Sequence, residues 1–532
     1  MYIDYRDDSA PAHIECDLCI IGAGAAGITM ARALTDSGMH VCVLESGGFE
    51  QEEATQNLYA GETLGLTNAD PLACRLRTFG GTTMHWGGWC APLSEHDFQV
   101  RSWVPNSGWA IQYSDLVPYY QQAQRICEIG PFKYGANAFL QDVRTFPPFH
   151  PDKIDVGFFQ YSPPTRFGTA YKDELGRARN VDVILHANVT RIRTDKSASR
   201  ITQLQIQTLE GRTGSVKAKI FVLACGGMEN ARLLLLTNDI QKNGLGNGSG
   251  LVGKYFLQHV EIGAVARILS KEPKVLFDAF RKYTLPEATV AAEMRTSVKA
   301  QEKNKYLNCA FTLLETEWWD GAWDKTGYDS LREAWRQVKN GHLQDDFTKK
   351  LWSVVTDLDS AVEGTYKQIR DLPYNGELKE LVLWARSEQS PNINSRIDLG
   401  SDVDHFGLRK IRVNWQLTEF DKRSVRSGLR TLAEELGRLN LGRMQVADWL
   451  MADDTSWAEP VWGGCHHMGT TRMSNDPKNG VVDRNCRMHS VQNLYIAGSS
   501  VFPTTGYVPP TLTIVSLALR LVEHLKQQLP TS

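Results

Sequence analysis

The sequence shows little of what would point to a membrane, to nucleic acid or to export: it has no long apolar run and no large charge excess, and we expect no leader segment. No stretch of its 532 residues approaches about 18 consecutive apolar residues, so we expect no membrane-spanning helix. The formal net charge of -3 gives no electrostatic reason to expect a nucleic-acid partner or an anionic membrane surface. The N-terminal stretch MYIDYRDDSAPAHIE has neither a basic nor an apolar region, so we expect no signal peptide.

Cysteine is present at ten positions, but its pattern predicts neither a metal site nor a haem. Cys16, Cys19, Cys42 and Cys225 stand in apolar, strand-like surroundings, which is typical of reduced, buried thiols in a cytoplasmic enzyme. The CxxC pair at Cys16 and Cys19 lies inside a predicted strand and has no second ligand pair, so we expect no metal there. No CxxCH motif occurs, so a cytochrome partner would be a separate chain.

The most informative segment, residues 17–45, has the pattern of a strand, a glycine turn, a helix, a second strand and an acid. Its GxGxxG motif supplies Gly22 for a tight turn, Gly24 for close approach of the backbone to a pyrophosphate, and Gly27 for close packing of helix on strand. The helix N-terminus then offers partial positive charge to the phosphates. Glu45 ends the second strand, where a carboxylate can bind ribose hydroxyls, so the motif predicts NAD or FAD rather than NADP.

Two later parts of the chain read as a return to the same sheet. Residues 220–224 form a short apolar run before a glycine turn and a helix, and the C-terminal stretch reads as strand, loop and buried helix. Pro510 suits the first turn of that last helix, whose N-terminus would either stabilise negative charge on a reduced flavin or simply pack in the core. Between residues 261 and 457, amphipathic helices and scattered strands indicate a second domain.

Several motifs are spread over nearly the whole chain: GAGAAG at residues 22–27, Glu45, GGTTMHWGG at 80–88, ACGGMENARLLL at 224–235, HHMGTTRM at 466–473 and NLYIAGSSVFPTTG at 493–506. Together they resemble the glucose-methanol-choline (GMC) oxidoreductases, a family of FAD enzymes. Within it the chain resembles the bacterial branch near pyranose oxidases, glucoside 3-dehydrogenases and aminoglycoside-sugar oxidases. The resemblance implies FAD and an α/β fold, with a Rossmann-like FAD-binding domain and an α+β substrate domain that has a large antiparallel sheet and helices.

The resemblance also implies domain ranges and cofactor contacts. The FAD-binding domain would comprise residues 1–95, 181–260 and 458–532, and the substrate-binding domain residues 96–180 and 261–457. The expected FAD contacts are Gly22, Gly24, Ala25, Ala26, Gly27, Glu45, Ser46, Gly80, Gly81, Thr82, Met84, His85, Trp86, Val189, Ala224, Gly226, Asn230, Gly498, Ser499, Pro510 and Thr511. His85 stands where fungal pyranose oxidases have a histidine bonded covalently to the flavin methyl group, and both a covalent link and a plain contact are open.

In the family, a histidine accepts the proton of the substrate hydroxyl while the adjacent C–H bond transfers a hydride to flavin N5. The resemblance makes this base His466, the first histidine before the Gly-Thr pair, whereas the position of His467 is usually not catalytic. The second active-site residue of the family, Asn or His, is replaced by Pro509, which has no side-chain donor or acceptor. We expect Tyr507, His467 or Gln389 to hold the substrate hydroxyl instead, or the substrate to be placed differently.

The expected substrate is a small molecule, a sugar, glycoside or sugar-like metabolite oxidised at a ring hydroxyl, with O2, a quinone or a separate redox protein as electron acceptor. Two other functions stay open. One is a GMC-like flavoenzyme with altered chemistry, such as desaturation or oxidative cyclisation, and the other is a catalytically silent flavoprotein subunit. The tryptophan-rich residues 318–352 would provide either a stacking surface for sugar rings or helical core packing.

Overall fold

A computed structural model of the chain describes residues 1–66, 70–135, 138–139, 145–315, 380–458 and 461–529. The tryptophan-rich segment 318–352, with its two predicted roles, lies outside the described residues. The described strands are β1 Tyr2–Asp4, β2 His13–Ile21, β3 Val41–Leu44, β4 Glu62–Gly65, β5 Trp89–Cys90, β6 Ile154–Tyr161, β7 Val181–Leu185, β8 Asn188–Thr194, β9 Ile201–Gln207, β10 Thr213–Leu223, β11 Val260–Leu269, β12 Tyr283–Thr284, β13 Thr289–Thr296, β14 Cys309–Glu315, β15 Glu380–Ser387, β16 Arg396–Val403, β17 Arg409–Trp415, β18 Arg443–Val446, β19 Val461–Trp462 and β20 Leu494–Ile496. The described α-helices are α1 Ala25–Ala33, α2 Glu53–Gln56, α3 Glu95–Phe98, α4 Val117–Ile126, α5 Phe167–Ala170, α6 Lys172–Arg177, α7 Gly226–Leu236, α8 Pro273–Phe280, α9 Val298–Asn304, α10 Glu419–Arg438, α11 Asp448–Met451 and α12 Thr511–Gln528.

An eight-stranded sheet contains the predicted dinucleotide-binding pattern. Its order is β1-β7-β3-β2-β10-β9-β8, with β20 paired to β10. The strands β1, β7, β3, β2, β10 and β20 pair in parallel, and β10, β9 and β8 pair antiparallel. All four residues of β3 are buried, as expected of a parallel strand covered on both faces. Helix α1 begins at Ala25, directly after the glycine turn, so the predicted strand-turn-helix unit is present.

A nine-stranded sheet forms the second large layer. Its order is β18-β11-β15-β14-β13-β6-β5, with β12 paired to β13 and β19 to β11, and these pairings are antiparallel. Helix α10 shares an apolar core with this sheet. Its start is fixed by Thr418, whose hydroxyl accepts a hydrogen bond from the amide of Asp421, and the Asp421 carboxylate accepts one from the Thr418 amide. The large antiparallel sheet expected beside the FAD-binding sheet is therefore present.

The first sheet takes its strands from three separated parts of the chain. Strands β1 to β3 come from the N-terminal part, β7 to β10 from the middle and β20 from near the C-terminal end. The second sheet includes β5 and β19, although both lie in ranges that we assigned to the FAD-binding domain. Phe98, Tyr120 and Phe167, from the range 96–180, share the apolar core of the first sheet. The domain boundaries themselves stay a prediction.

Cys74 and Cys465 form a disulfide, with their Cα atoms 5.5 Å apart. The four cysteines in strand-like surroundings are free, as we expected, but only Cys19 and Cys42 are buried, whereas Cys16 and Cys225 are partly exposed. The expectation of reduced cysteines therefore needs a correction at one pair, whose members lie in turns that only the tertiary fold brings together. Within the described ranges, no helix has the length and the apolar character that crossing a membrane requires.

Candidate active site

A cavity of about 370 Å³ is lined by residues from both large sheets. The first sheet contributes Gly22 and Gly24, from the turn after β2, and Glu45, which follows β3. The second sheet contributes Arg386 of β15, and the turn after β19 contributes His466. The carboxyl ends of parallel strands are the usual ligand-binding edge of an α/β sheet, so this cavity is the candidate active site.

Two of the three motif glycines are required by the fold, and the third is not. Gly22 has φ +104°, and a Cβ there would lie 2.7 Å from the carbonyl oxygen of Ala224. A Cβ at Gly27 would lie 1.9 Å from the carbonyl oxygen of Gly22, so the helix packs closely on the turn. Gly24 has φ −84°, and a Cβ there would meet no protein atom within 4 Å. Neither the backbone nor the packing of the protein requires glycine at this position. The open space beside Gly24 is what we expect if a ligand lies against the backbone there.

Glu45 is buried, and its carboxylate is held by backbone amides. Its Oε2 accepts a hydrogen bond from the Ala23 amide at 2.9 Å, and its Oε1 accepts one from the Gly47 amide at 2.9 Å. The Ser46 hydroxyl also donates to Oε1, at 3.3 Å. Burial raises the pKa of Glu45, and the two amides oppose this rise. A carboxylate fixed in the lining with further lone pairs available suits the ribose contact that we predict.

Two helix starts also face the cavity. One is the start of α7, at Gly226, which has φ +82°. In the same lining, Gly498 of the turn after β20 has φ +107°. A Cβ at either glycine would meet no protein atom within 4 Å. Helix α12 begins at Thr511, directly after Pro510, and both residues line the cavity. Free N–H groups and the helix dipole favour negative groups at such positions. Open space beside glycines, a fixed carboxylate and helix starts together fit a dinucleotide such as FAD.

Most of the predicted FAD contacts line this cavity. They are Gly22, Gly24, Ala25, Ala26, Glu45, Ser46, Gly81, Thr82, Trp86, Val189, Ala224, Gly226, Gly498, Ser499, Pro510 and Thr511. Gly27, Gly80, Met84, His85 and Asn230 are not in the lining. A Cβ at Gly80 would lie 2.7 Å from Sδ of Met84, so these two residues pack together, and Asn230 accepts a hydrogen bond from the Cys225 amide at 2.8 Å. A covalent link from His85, which is buried, stays a prediction.

His466 lines the cavity, with 21% of its side chain exposed. Its Nδ1 lies 2.8 Å from Nδ1 of His259 and 3.9 Å from Oε1 of Glu261. Burial lowers the pKa of His466 well below its ordinary value, and Arg386 and His467 lower it further. The ring is therefore neutral near pH 7 and able to accept a proton.

His467 also lines the cavity but is more firmly packed. Its ring stacks on Phe256, with the ring centroids 5.9 Å apart, and its backbone carbonyl accepts a hydrogen bond from the Ser499 hydroxyl at 2.7 Å. Burial, together with Arg75, lowers the pKa of His467 to about 3. The structure thus brings both predicted histidines to one cavity, and the choice between them as base stays a prediction.

Sequence reasoning missed two polar side chains beside His466, those of His259 and Glu261. His259 is fully buried, and Oε1 of Glu261 accepts a hydrogen bond from Nε of Arg386 at 2.9 Å, while its Oε2 accepts one from Nε1 of Trp384 at 2.8 Å. His259 and Glu261 are two positions apart at the start of a strand. This spacing could have indicated them, because residues i and i+2 of a strand lie on the same face of the sheet. His259, Glu261 and His466 lie close enough to bind one metal ion, but hydrogen bonds already use these atoms.

Pro509 lines the cavity, but two of the three residues that we expected to make the missing contact do not. Oε1 of Gln389 accepts a hydrogen bond from Nε1 of Trp415 at 3.0 Å, and Gln389 is fully buried. Tyr507 is 3% exposed, and its hydroxyl accepts a hydrogen bond at 3.3 Å from an arginine of β13. Both side chains are used inside the protein core, so His467 is the member of the three that reaches the cavity.

Two family models match the chain: FAD dependent oxidoreductase over residues 17–243 and GMC oxidoreductase over residues 391–518. The fructose dehydrogenase large subunit of Gluconobacter japonicus is 23% identical, over 97% of this chain and 98% of its own length. Paromamine 6'-oxidase of Streptomyces fradiae is 24% identical, over 97% of this chain and 92% of its own length. These sequence matches therefore extend over both large sheets.

Solved structures with a similar fold cover nearly the whole chain. A formate oxidase structure from Aspergillus oryzae aligns with a TM-score of 0.56 and 16% identity, over 98% of this chain and 99% of its own. Pyridoxine 4-oxidase from Mesorbium loti aligns with a TM-score of 0.54 and 14% identity, over 96% of this chain and 99% of its own. These similarities confirm the predicted fold, an α/β FAD-binding part with a second part built on a large sheet.

Proposed function

Since the chain is an FAD-dependent oxidoreductase of the GMC type, we propose that it oxidises a hydroxyl group of a sugar, a glycoside or a sugar-like metabolite. The observation that carries this proposal is the position of His466, a neutral histidine in the lining of the same cavity as the dinucleotide cradle. Two relatives are, by name, a fructose dehydrogenase and a paromamine oxidase, which supports the substrate class.

In this proposal the chain holds the cofactor and the substrate and moves one proton. Gly24 and the start of α1 would hold the pyrophosphate, Glu45 would hold the ribose, and the start of α12 would stabilise negative charge on the reduced ring. Bound FAD supplies the two-electron acceptor for the hydride that leaves the carbinol carbon. Nε2 of His466 takes the hydroxyl proton, so the O–H and C–H bonds break and a C=O bond forms.

The charges around His466 suit a base that becomes cationic for part of the reaction. A neutral imidazole accepts the hydroxyl proton, and the resulting imidazolium is attracted by Glu261, whose Oε1 lies 3.9 Å from Nδ1. Arg386 is held against Glu261 at 2.9 Å, so its repulsion of the imidazolium is partly compensated. Removal of the hydroxyl proton makes the substrate oxygen negative, which favours departure of the hydride from the adjacent carbon.

The second sheet gives the cavity a wall that suits a polyhydroxylated ring. Trp384 and Trp462 line the cavity, with their ring centroids 5.7 Å apart. Aromatic faces pack well on the C–H-rich faces of sugar rings. Arg386 and Thr312 add hydrogen-bonding groups to the same lining. This wall supports a substrate with at least one sugar-like ring over a short alkyl alcohol.

One observation favours a second candidate, a GMC-type enzyme with altered chemistry such as desaturation or oxidative cyclisation of a non-sugar metabolite. Pro509 lines the cavity at the motif position where the family has a polar residue, and it has neither a polar side chain nor a backbone N–H to donate to the substrate. The third function, a silent flavoprotein subunit, is disfavoured by the two neutral histidines in the cavity lining.

Anaerobic mixing of the FAD-loaded enzyme with a compound panel separates these functions. The panel contains D-fructose, D-glucose, methyl β-D-glucopyranoside and paromamine, with pyridoxine and benzyl alcohol as non-sugars. Loss of the flavin absorbance near 450 nm with a sugar or aminoglycoside, and its strong slowing in His466→Ala, supports the first function. Bleaching by pyridoxine or benzyl alcohol alone contradicts a sugar-like substrate, whereas altered chemistry requires a desaturated or cyclised product. An unbleached flavin throughout favours the silent subunit.

We further propose that O2, a quinone or a separate redox protein reoxidises the flavin, and that the protein is cytoplasmic. The free cysteines support a reducing compartment, whereas the Cys74–Cys465 disulfide is the observation against it. Steady-state rates with O2, a soluble quinone and ferricyanide compare the acceptors. Fractionation of the native cells decides the compartment.

A further inference from the structure

His259 and His466 are joined by a hydrogen bond between their Nδ1 atoms, which lie 2.8 Å apart. The two rings are steeply inclined, at 80°. A bond between two imidazole nitrogens needs one N–H and one lone pair, so one histidine donates and the other accepts. The direction matters, because a neutral ring has its N–H on one nitrogen and its lone pair on the other. If His466 donates through Nδ1, its lone pair is on Nε2.

The surroundings of His259 favour this direction. Burial lowers the pKa of His259 well below its ordinary value, His466 and Arg386 lower it further, and Glu261 and the backbone of Thr505 act in the opposite sense. A backbone group that raises the pKa of a histidine is a carbonyl, which accepts an N–H. Because Nδ1 of His259 faces His466, an N–H directed toward the backbone of Thr505 must be on Nε2, a buried atom that makes no direct hydrogen bond within the described residues.

We propose that His259 is a positioning residue that fixes the tautomer of His466. With its N–H on Nε2, His259 presents its Nδ1 lone pair, and His466 donates its own Nδ1–H. The lone pair of His466 is then on Nε2, the ring nitrogen left for the cavity. This inference rests on the proposed function, in which that Nε2 takes the hydroxyl proton.

The arrangement divides two tasks that one carboxylate performs in many catalytic histidine sites. His259 is neutral, so it orients His466 without raising its proton affinity through a full negative charge. Glu261, 3.9 Å from Nδ1 of His466, supplies the negative charge that stabilises the protonated ring. The Nδ1–H of His466 can stay bonded to His259 throughout, so accepting the substrate proton requires no rotation of the ring.

Two substitutions of His259 separate orientation from packing. Asparagine places an amide oxygen near the position of Nδ1, where it can still accept from His466, whereas leucine fills the site without an acceptor. In the FAD-loaded enzyme, with the panel compound that bleaches the wild type fastest, we expect His259→Leu to lower the rate constant of anaerobic flavin reduction about 10–100-fold, the usual cost of a lost outer-shell partner. We expect His259→Asn to restore most of the rate, and the substrate Kd to change little in either variant.

The tautomer itself is measured by 15N NMR of the FAD-loaded enzyme labelled at histidine. We expect wild-type His466 to have a protonated Nδ1 and an unprotonated Nε2 at neutral pH. In His259→Leu the signals should shift toward the other tautomer, and loss of the signals in His466→Gln assigns them. Flavin content and the thermal midpoint of each variant establish that it is folded. This measurement needs no substrate and therefore does not depend on the proposed function.

Two results would overturn the inference: a proton on Nε2 of His466 in the wild type, or a folded His259→Asn variant as slow as His259→Leu. If His259→Leu does not fold, the wild-type tautomer and the His259→Asn rate still decide the question. If His466→Ala reduces its flavin at the wild-type rate although the expected tautomer is found, the proposed function is wrong and the tautomer assignment holds.

Discussion

Cys465, the residue directly before His466, is joined by a disulfide to Cys74, which lies 391 residues earlier in the chain. Both cysteines line the cavity. Next to Cys74, Arg75 forms an ion pair with Glu229 of α7 at 3.0 Å, and both side chains are buried. The turn that contains the predicted base is therefore joined covalently to the segment around Cys74. The ion pair of Arg75 with Glu229 in turn joins that segment to α7.

This bond should contribute measurably to stability. Replacement of both partners, Cys74→Ser with Cys465→Ser, should lower the free energy of unfolding by about 2–4 kcal/mol, because a long covalent loop no longer restricts the unfolded chain. Chemical denaturation of the holoenzyme measures it. A reductant should lower the denaturation midpoint of the wild type and leave the double variant unchanged. Cys16→Ser, at a free thiol, is the matched control and should behave as wild type. Equal midpoints for all three proteins would contradict the prediction.

Gly24 should be needed for flavin and not for the fold. Its backbone φ of −84° is open to any residue, and a Cβ would meet no protein atom within 4 Å, so Gly24→Val should fold. The branched side chain would then take the space in which we place the pyrophosphate, and FAD should be lost on purification. The ratio of absorbance at 450 nm to that at 280 nm measures flavin content. Gly437→Val, at a helical glycine equally free of neighbours, should keep its flavin. Normal flavin content in Gly24→Val would exclude this position for the pyrophosphate.

His466 and His467 should differ sharply in kinetics. His466→Ala should lower the rate constant of flavin reduction roughly 10²–10⁴-fold, the usual cost of a lost general base, with a much smaller change in substrate binding. His467→Ala should be milder by at least about tenfold, because this ring stacks on Phe256 and, within the part of the chain that the structure describes, makes no side-chain hydrogen bond that would orient a base. Stopped-flow reduction under anaerobic conditions gives both constants. The reverse order would move the role of base to His467.

The parts of the site that are local in sequence were predictable. Gly22, Gly24 and Glu45 belong to one strand-turn-helix-strand unit, in which spacing alone sets the geometry. The base could be located only through resemblance to a family motif, since a pair of adjacent histidines has no geometric signature of its own. The strand β3 of the first sheet could be recognised because a strand in the parallel part of a sheet is buried on both faces and shows no alternation.

The partners of His466 could not be predicted, because they come from other elements. His259 directly precedes β11, and Glu261 is the second residue of that strand. Arg386 lies on β15, and the pairing of β11 with β15 brings it to Glu261 across 125 residues of sequence. The Cys74–Cys465 bond likewise depends on contact between distant turns. Gln389 is one of the three residues that we expected to hold the substrate hydroxyl, and the sequence does not show that its amide oxygen accepts a hydrogen bond from Trp415.

Acid should destabilise the protein through the buried histidines of the cavity. Burial lowers the pKa of His259 and His466 well below the ordinary value, and that of His467 to about 3. In the unfolded chain these rings titrate near ~6.5, so below that pH the unfolded state binds more protons than the folded state. Their contribution to stability is complete above pH ~6.5 and is lost as the pH falls toward the folded-state values.

We therefore expect the thermal midpoint of the holoenzyme to fall steeply once the pH drops below ~6.5. His467→Leu should make this fall shallower, because the leucine has no proton to bind in the unfolded state. His150→Gln, at an exposed histidine, is the control and should keep the wild-type slope. Thermal melts from pH 8 to pH 4.5 measure the effect. Identical slopes in the wild type and His467→Leu would show that His467 does not contribute to this linkage.

Pro509 should set substrate choice. A hydroxyl that enters a dry flavin cavity loses its water partners, and leaving it half-satisfied costs about 1–3 kcal/mol. His466 can take the hydroxyl proton, but Pro509 offers no second hydrogen bond to the oxygen. Simple monosaccharides should therefore be poor substrates, and larger ones, anchored by remote contacts such as Trp384 and Trp462, should be preferred.

The substitution Pro509→Asn should raise kcat/KM for D-glucose, because the amide supplies the missing hydrogen bond, by about tenfold if roughly 1.4 kcal/mol is regained in the transition state. Pro509→Leu, which removes the ring without adding a donor, is the matched control and should bring no gain. Asparagine can also adopt the extended backbone that the following Pro510 requires, so the start of α12 should be kept. Steady-state kinetics with D-glucose and with methyl β-D-glucopyranoside compare the three proteins. If the wild type already oxidises D-glucose efficiently and Pro509→Asn leaves the rate unchanged, this residue does not direct substrate choice. The hydroxyl must then be held by another group of the lining. Among these groups, His467 is the nearest in sequence to the predicted base.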